Sequence, residues 1–114
     1  AADDYFEQTV LKELKRSIPP GRLRELQDNA RGRSRELVKA LSVSGVGIEE
    51  TCRIAHELTG MLGNFGLKSA RLKAQEIERY ALLGAEISGA ISELEKILRT
   101  SWSILEQEQE RSDT

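Results

Sequence analysis

Reactive side chains are scarce in this 114-residue chain, which has one cysteine, Cys52, and one histidine, His56. A single thiol cannot close an intramolecular disulfide. Cys52 and His56 stand four residues apart, but a structural zinc site takes four ligands, and two do not complete one. The same pair is poor nucleophilic machinery, because no third group is identified to orient the base. Cys52 is therefore expected to be a packing residue. No G-x-x-x-x-G-K-[ST] loop, dinucleotide fingerprint or kinase signature occurs, so the chain is not expected to bind ATP or any cofactor of its own.

Aromatic residues make up 4% of the sequence and prolines number two, while Leu, Glu, Lys, Arg and Ala are abundant. β-branched residues are sparse and rarely alternate with polar ones, which points to an all-helical fold. The 17 basic and 19 acidic side chains leave a formal charge of −2. Charges of both signs are mixed throughout, so the broad basic field that holds phosphate backbones is missing and nucleic acid is not an expected partner. No apolar run reaches the ~18 residues of a membrane span or resembles a signal segment, so no membrane partner is expected. One cysteine and no such segment fit the cytoplasm. The length suits one domain over 1–114, with a single modest core. A first residue of Ala1 rather than Met fits a piece of a longer chain.

Apolar spacing divides the chain into five helices. Tyr5, Phe6, Val10, Leu11 and Leu14 form a stripe within residues 1–18, with acids early and lysines late, as the helix dipole favours. Ser17-Ile18-Pro19-Pro20-Gly21 interrupts it. Leu23, Leu26, Ala30, Ser34, Leu37 and Leu41 then make a second stripe, with a polar weak spot at Ser34. Its opposite face carries Arg22, Arg24, Arg31, Arg33 and Arg35. Those arginines are expected to be solvated and paired with Glu25 and Glu36, with partner docking as the second reading. A small-residue loop leads to a helix opening at Ile48 with Glu49 and Glu50 in its first turn, and Gly66 is placed to cap its end. Leu67, Ala70, Ala74, Ile77 and Ala81 line the fourth helix, and Gly84 marks a hairpin. Ile87, Ile91, Leu94, Leu98, Trp102 and Leu105 line the fifth. The expected architecture is an antiparallel four-helix bundle over 22–105, an additional N-terminal helix across one end, and a frayed polar tail over 106–114.

Within the third helix, Gly60, Gly63 and Gly66 follow His56 at offsets of four, seven and ten residues. At about 100° per residue, Gly60 and Gly63 share the face of His56. Ile48, Thr51, Ile54, Ala55, Leu58, Met61, Leu62 and Phe65 lie on the other side. The imidazole is thus expected in solvent, with its surroundings cleared of side chains. Glycine inside a helix costs roughly 1 kcal/mol relative to alanine, so the pair suggests a face that another protein approaches closely. An exposed imidazole keeps a ring lone pair free near neutral pH and is able to attack a phosphoryl group on that protein. The alternative is a surface histidine with no role, which leaves the glycines unaccounted for.

These residues resemble the signature of the histidine-containing phosphotransfer domains. That signature runs histidine, leucine two residues on, lysine and glycine at offsets three and four, an apolar–glycine pair at nine and ten, and a helix ending in glutamate. The matches are His56, Leu58, Gly60, Phe65, Gly66 and Glu78, with Ala70 and Ile77 at later apolar positions. The matched stretch is about a quarter of the chain. Thr59 departs from the pattern, standing where the family has lysine. Arg53, Lys68 and Arg71 are candidates to supply the missing positive charge, or are ordinary solvated cations.

The resemblance implies reversible phosphoryl transfer between His56 and an aspartate of a response-regulator receiver domain, with a hybrid sensor kinase as a further partner. The divalent metal is expected on the receiver, and the chain is expected to be a monomeric phosphocarrier rather than a self-sufficient enzyme. Leu72 is a candidate for added docking contact. Two alternatives accompany this reading. A sensor-kinase dimerisation module commonly begins its box with His-Glu-Leu, as His56-Glu57-Leu58 does, but Met61 stands where its proline is expected. A noncatalytic adaptor that docks receivers without carrying phosphate is the other.

Overall fold

The structure is a computed structural model and describes residues 4–43 and 45–113. It is all-helical, with α1 at Gln8–Ser17, α2 at Pro20–Leu41, α3 at Ile48–Asn64, α4 at Lys68–Leu82 and α5 at Ser88–Asp113, and no strand among the described residues. None of the helices is long and apolar enough to cross a membrane, among the described residues.

Local chemistry explains the breaks. Ile18 before Pro19 is extended, at φ −125° and ψ 130°, because the proline ring crowds a helical conformation in the residue ahead of it. Pro20 then opens α2, where a missing N–H costs nothing. At the end of α3, Gly66 adopts φ +76°. Its N–H donates to Gly63 O at 3.1 Å, and Leu67 N–H donates to Leu62 O at 2.9 Å. This pair of bonds is the Schellman arrangement, which needs a left-handed residue at its corner. Gly84, at φ +71°, repeats it after α4, with Gly84 N–H on Ala81 O and Ala85 N–H on Tyr80 O.

The apolar faces meet in one core. Leu58, Leu62, Leu67, Ala70, Ala74, Ile77 and Leu94 are 0% exposed. α3 packs against α4 and α2, α4 against α5, and α5 against α2, so these four close a cycle, while α1 packs against α2. The N-terminal segment also covers the α3–α4 turn: Glu7 N–H donates to Gly66 O at 2.8 Å, and Ser69 Oγ donates to Asp4 O at 2.6 Å. The polar interruption of α2 is satisfied from within. Ser34, 2% exposed, donates to Arg31 O at 2.8 Å and accepts from Trp102 Nε1 at 3.3 Å.

Some expected boundaries move. α1 starts at Gln8, leaving Tyr5 and Phe6 ahead of it, although Phe6 is still buried. α2 begins two residues before Arg22, at Pro20. Ile48 is 58% exposed, because it opens α3 ahead of Thr51, the first residue of that helix to be buried. The segment from Glu106, expected to fray, continues α5 to Asp113. Glu, Gln and Arg are good helix formers, and the extension is tied to α2 by Arg31–Glu106 at 3.0 Å and by a hydrogen bond from Gln109 to Gln27.

Candidate functional site

α3 is held on one side by Ile54, Ala55, Leu58 and Leu62, all buried. That anchoring turns His56 outward, with its side chain 80% exposed. Its Nδ1 lies 3.4 Å from Oε2 of Glu78 on α4, a carboxylate only 26% exposed. The separation suits an ion-pair contact and is longer than a well-formed N–H···O bond. A carboxylate on the Nδ1 side favours the tautomer that carries its proton there, which leaves the Nε2 lone pair free.

The juxtaposition follows from the turn. Gly66 lies ten residues after His56 and twelve before Glu78, so a chain reversing at Gly66 brings the two side chains level. Cys52 Sγ contacts Glu78 O at 3.9 Å and is half-buried in the same seam.

The two glycines of the face differ. A Cβ on Gly60 would meet nothing within 4 Å, so the surface beside His56 is open there. A Cβ on Gly63 would sit 3.0 Å from Arg71 Cδ. Gly63 is thus a seat for the arginine stem, in place of the cleared surface expected from its angle alone. Thr59 donates its hydroxyl to Ala55 O at 2.8 Å, bonding back into its own helix.

The three candidate cations also separate. Arg53 is held by Glu50 and by Glu57, the latter at 3.5 Å. Hydrogen bonding to Glu50 pushes the Arg53 guanidinium up, and the same contact holds the Glu50 carboxyl below its usual range. Glu57 also binds Arg33 of α2 at 2.9 Å, which raises the Arg33 guanidinium in turn. Arg53 is therefore committed to a carboxylate network. Lys68 is exposed and Arg71 half-buried, and neither forms an ion pair among the described residues. Leu72 is 47% exposed on the same helix. No three His, Cys, Asp or Glu side chains are grouped to hold a metal ion, among the described residues.

Two features escaped the sequence. The Arg71 stem over Gly63 has no signal in spacing, and Glu57 reads as an ordinary surface acid until α2 brings Arg33 to it. No protein-family model, curated protein or solved structure matches this chain. Chemically, the site offers an exposed imidazole with one nitrogen directed to a carboxylate and the other open to a partner.

Proposed function

We propose that the chain is a histidine phosphotransfer domain, in which His56 carries a phosphoryl group to and from aspartates of receiver domains. The observation supporting this most is the contact of His56 Nδ1 with Glu78 at 3.4 Å on an imidazole whose other side faces solvent. The packing cycle of α2 to α5 is read as an antiparallel four-helix bundle, with α1 added outside it.

In the loading step, the Nε2 lone pair attacks the phosphorus of a receiver aspartyl phosphate. The N–P bond forms as the bond to the aspartyl oxygen breaks, and the aspartate leaves as a carboxylate. The ring, still bearing its Nδ1 proton, gains positive charge, which the Glu78 carboxylate offsets. Unloading reverses these events onto another aspartate. The receiver supplies the divalent metal and most of the charge stabilisation on the phosphoryl oxygens. Lys68 and Arg71, rather than Arg53, are the cations of this chain left to assist. A cytoplasmic, monomeric carrier that meets a receiver and a hybrid sensor kinase belongs to the same proposal.

The test incubates the chain with a panel of phosphorylated receiver domains and follows acid-labile, base-stable label. Label on His56, lost in His56→Gln with an unchanged circular dichroism spectrum, is the expected result. Binding without label across the panel would instead identify a noncatalytic adaptor. Light scattering separates the dimerisation-module alternative, because four helices of one chain already close the packing cycle and a monomer is expected.

A further inference from the structure

The arginines of α2 fall into two sets. Arg22 pairs with Glu25 at 3.2 Å, and Arg33 pairs with Glu36 and Glu57. Arg35 and Lys39, together with Arg99 of α5, form no ion pair among the described residues. These unneutralised cations border one open trough between α2 and α5, about 430 Å³ in volume. Arg31 borders it as well and is partly neutralised by Glu106 at 3.0 Å. Glu95 is the one carboxylate in the lining. Four cations against one acid, in a chain whose formal charge is −2, is a segregated patch.

The trough has a direction and a floor. Arg31, Arg35 and Lys39 recur every four residues along α2, a spacing of about 6 Å, and Arg99 faces them from α5. Between the rims lie the largely buried Val38, Leu98 and Trp102. In the packing cycle this α2–α5 seam stands across the molecule from the α3–α4 seam of His56 and Glu78.

We propose that the α2–α5 trough docks an acidic amphipathic helix of a partner protein. On such a helix, carboxylates four residues apart repeat at the same spacing of about 6 Å and meet the α2 cations in register. Apolar side chains between them fill the floor, the usual division of labour when a helix lies in a groove. A flat bilayer surface meets the rim charges but does not reach a floor recessed between two helices. The site is independent of the reaction at His56, and its location leaves both faces open together.

The probe is a fluorescein-labelled peptide with glutamates at i, i+4 and i+8 and leucines at the intervening helical positions, titrated by anisotropy at low ionic strength. A second peptide with glutamines in place of the glutamates is the control. The glutamate peptide should bind saturably and weaken with salt. The triple variant Arg35→Gln, Lys39→Gln, Arg99→Gln should lose about tenfold in affinity, while His56→Gln binds unchanged. A reversed pair, Arg35→Glu with Arg99→Glu, should turn preference toward a lysine version of the peptide. Four results would overturn the proposal: no saturable binding, equal binding of the glutamine peptide, full affinity in the triple variant, or co-sedimentation with phosphatidylserine vesicles through these three residues without peptide binding.

Discussion

Replacing Gly60 by alanine is expected to stabilise the fold. Gly60 lies inside α3, and a Cβ there meets nothing within 4 Å. The substitution therefore adds no clash and removes conformational freedom from the unfolded chain. Helix propensity and that lost freedom together are worth about 1 kcal/mol. A domain of 114 residues has an unfolding entropy of about 0.24 kcal/mol/K, so the melting temperature should rise by about 4 °C. Gly63→Ala is the internal control. It has the same propensity gain, but its Cβ falls 3.0 Å from Arg71 Cδ and must push the stem aside, so its net gain should be smaller. Thermal and urea melts followed by circular dichroism, with an unchanged urea slope, measure both. A destabilising Gly60→Ala, or a Gly63→Ala that stabilises as much, would refute the open setting assigned to Gly60. A bulkier residue, Gly60→Phe, extends the test to function. It should impair phosphotransfer far more than folding, and a parallel loss of stability would show that the face beside His56 has been misplaced.

Ser34→Ala strips the acceptor from the buried Trp102 Nε1 and should cost about 1–3 kcal/mol. It would appear as a lower urea midpoint, and the loss should shrink when Trp102→Phe removes the donor as well. Gly66→Ala forces a side chain to φ +76° with its Cβ 3.3 Å from Glu7 O. It should cost at least about 1 kcal/mol and speed amide exchange at the Glu7 N–H, which bonds Gly66 O. Acid should weaken the side-chain contacts within α4. Glu76 accepts from Lys73 at 2.8 Å and from Tyr80 at 2.5 Å, contacts that hold its carboxyl below the usual range. A depressed folded value means that its stabilisation is complete above about pH 4.3 and is lost as pH falls through the folded value. Glu76→Gln should flatten that acid limb of a stability–pH profile, and an unchanged limb would show that Glu76 is not its source.

How far the site was legible depends on which residue is asked about. The outward turn of His56 follows from angular spacing, because burial of Ile54, Ala55, Leu58 and Leu62 leaves one face of α3 outside. Gly60 is open for the same reason. The angle placed Gly63 identically and misread its purpose, since the atom that needs the space belongs to α4. Arg53 looked like a free cation one turn from His56. Its commitment to Glu50 is local, but Glu57 is shared with Arg33 from another helix, and no spacing within α3 predicts that.

The chain by itself determined the elements and their corners. Apolar residues at helical spacing select the buried faces, Pro19 and Pro20 forbid a continuous first helix, and Gly66 and Gly84 supply the left-handed corners that helix ends require. These are short-range effects, decided by neighbours within a turn or two. Tertiary structure alone decided which polar groups of different helices meet. Glu106 stays helical where it meets Arg31, Ser34 becomes an acceptor for Trp102, and His56 finds Glu78 only after the chain has reversed. Partners far apart in sequence become neighbours only when apolar burial has fixed the distance between helices, and the chemistry of the His56 face is of that kind.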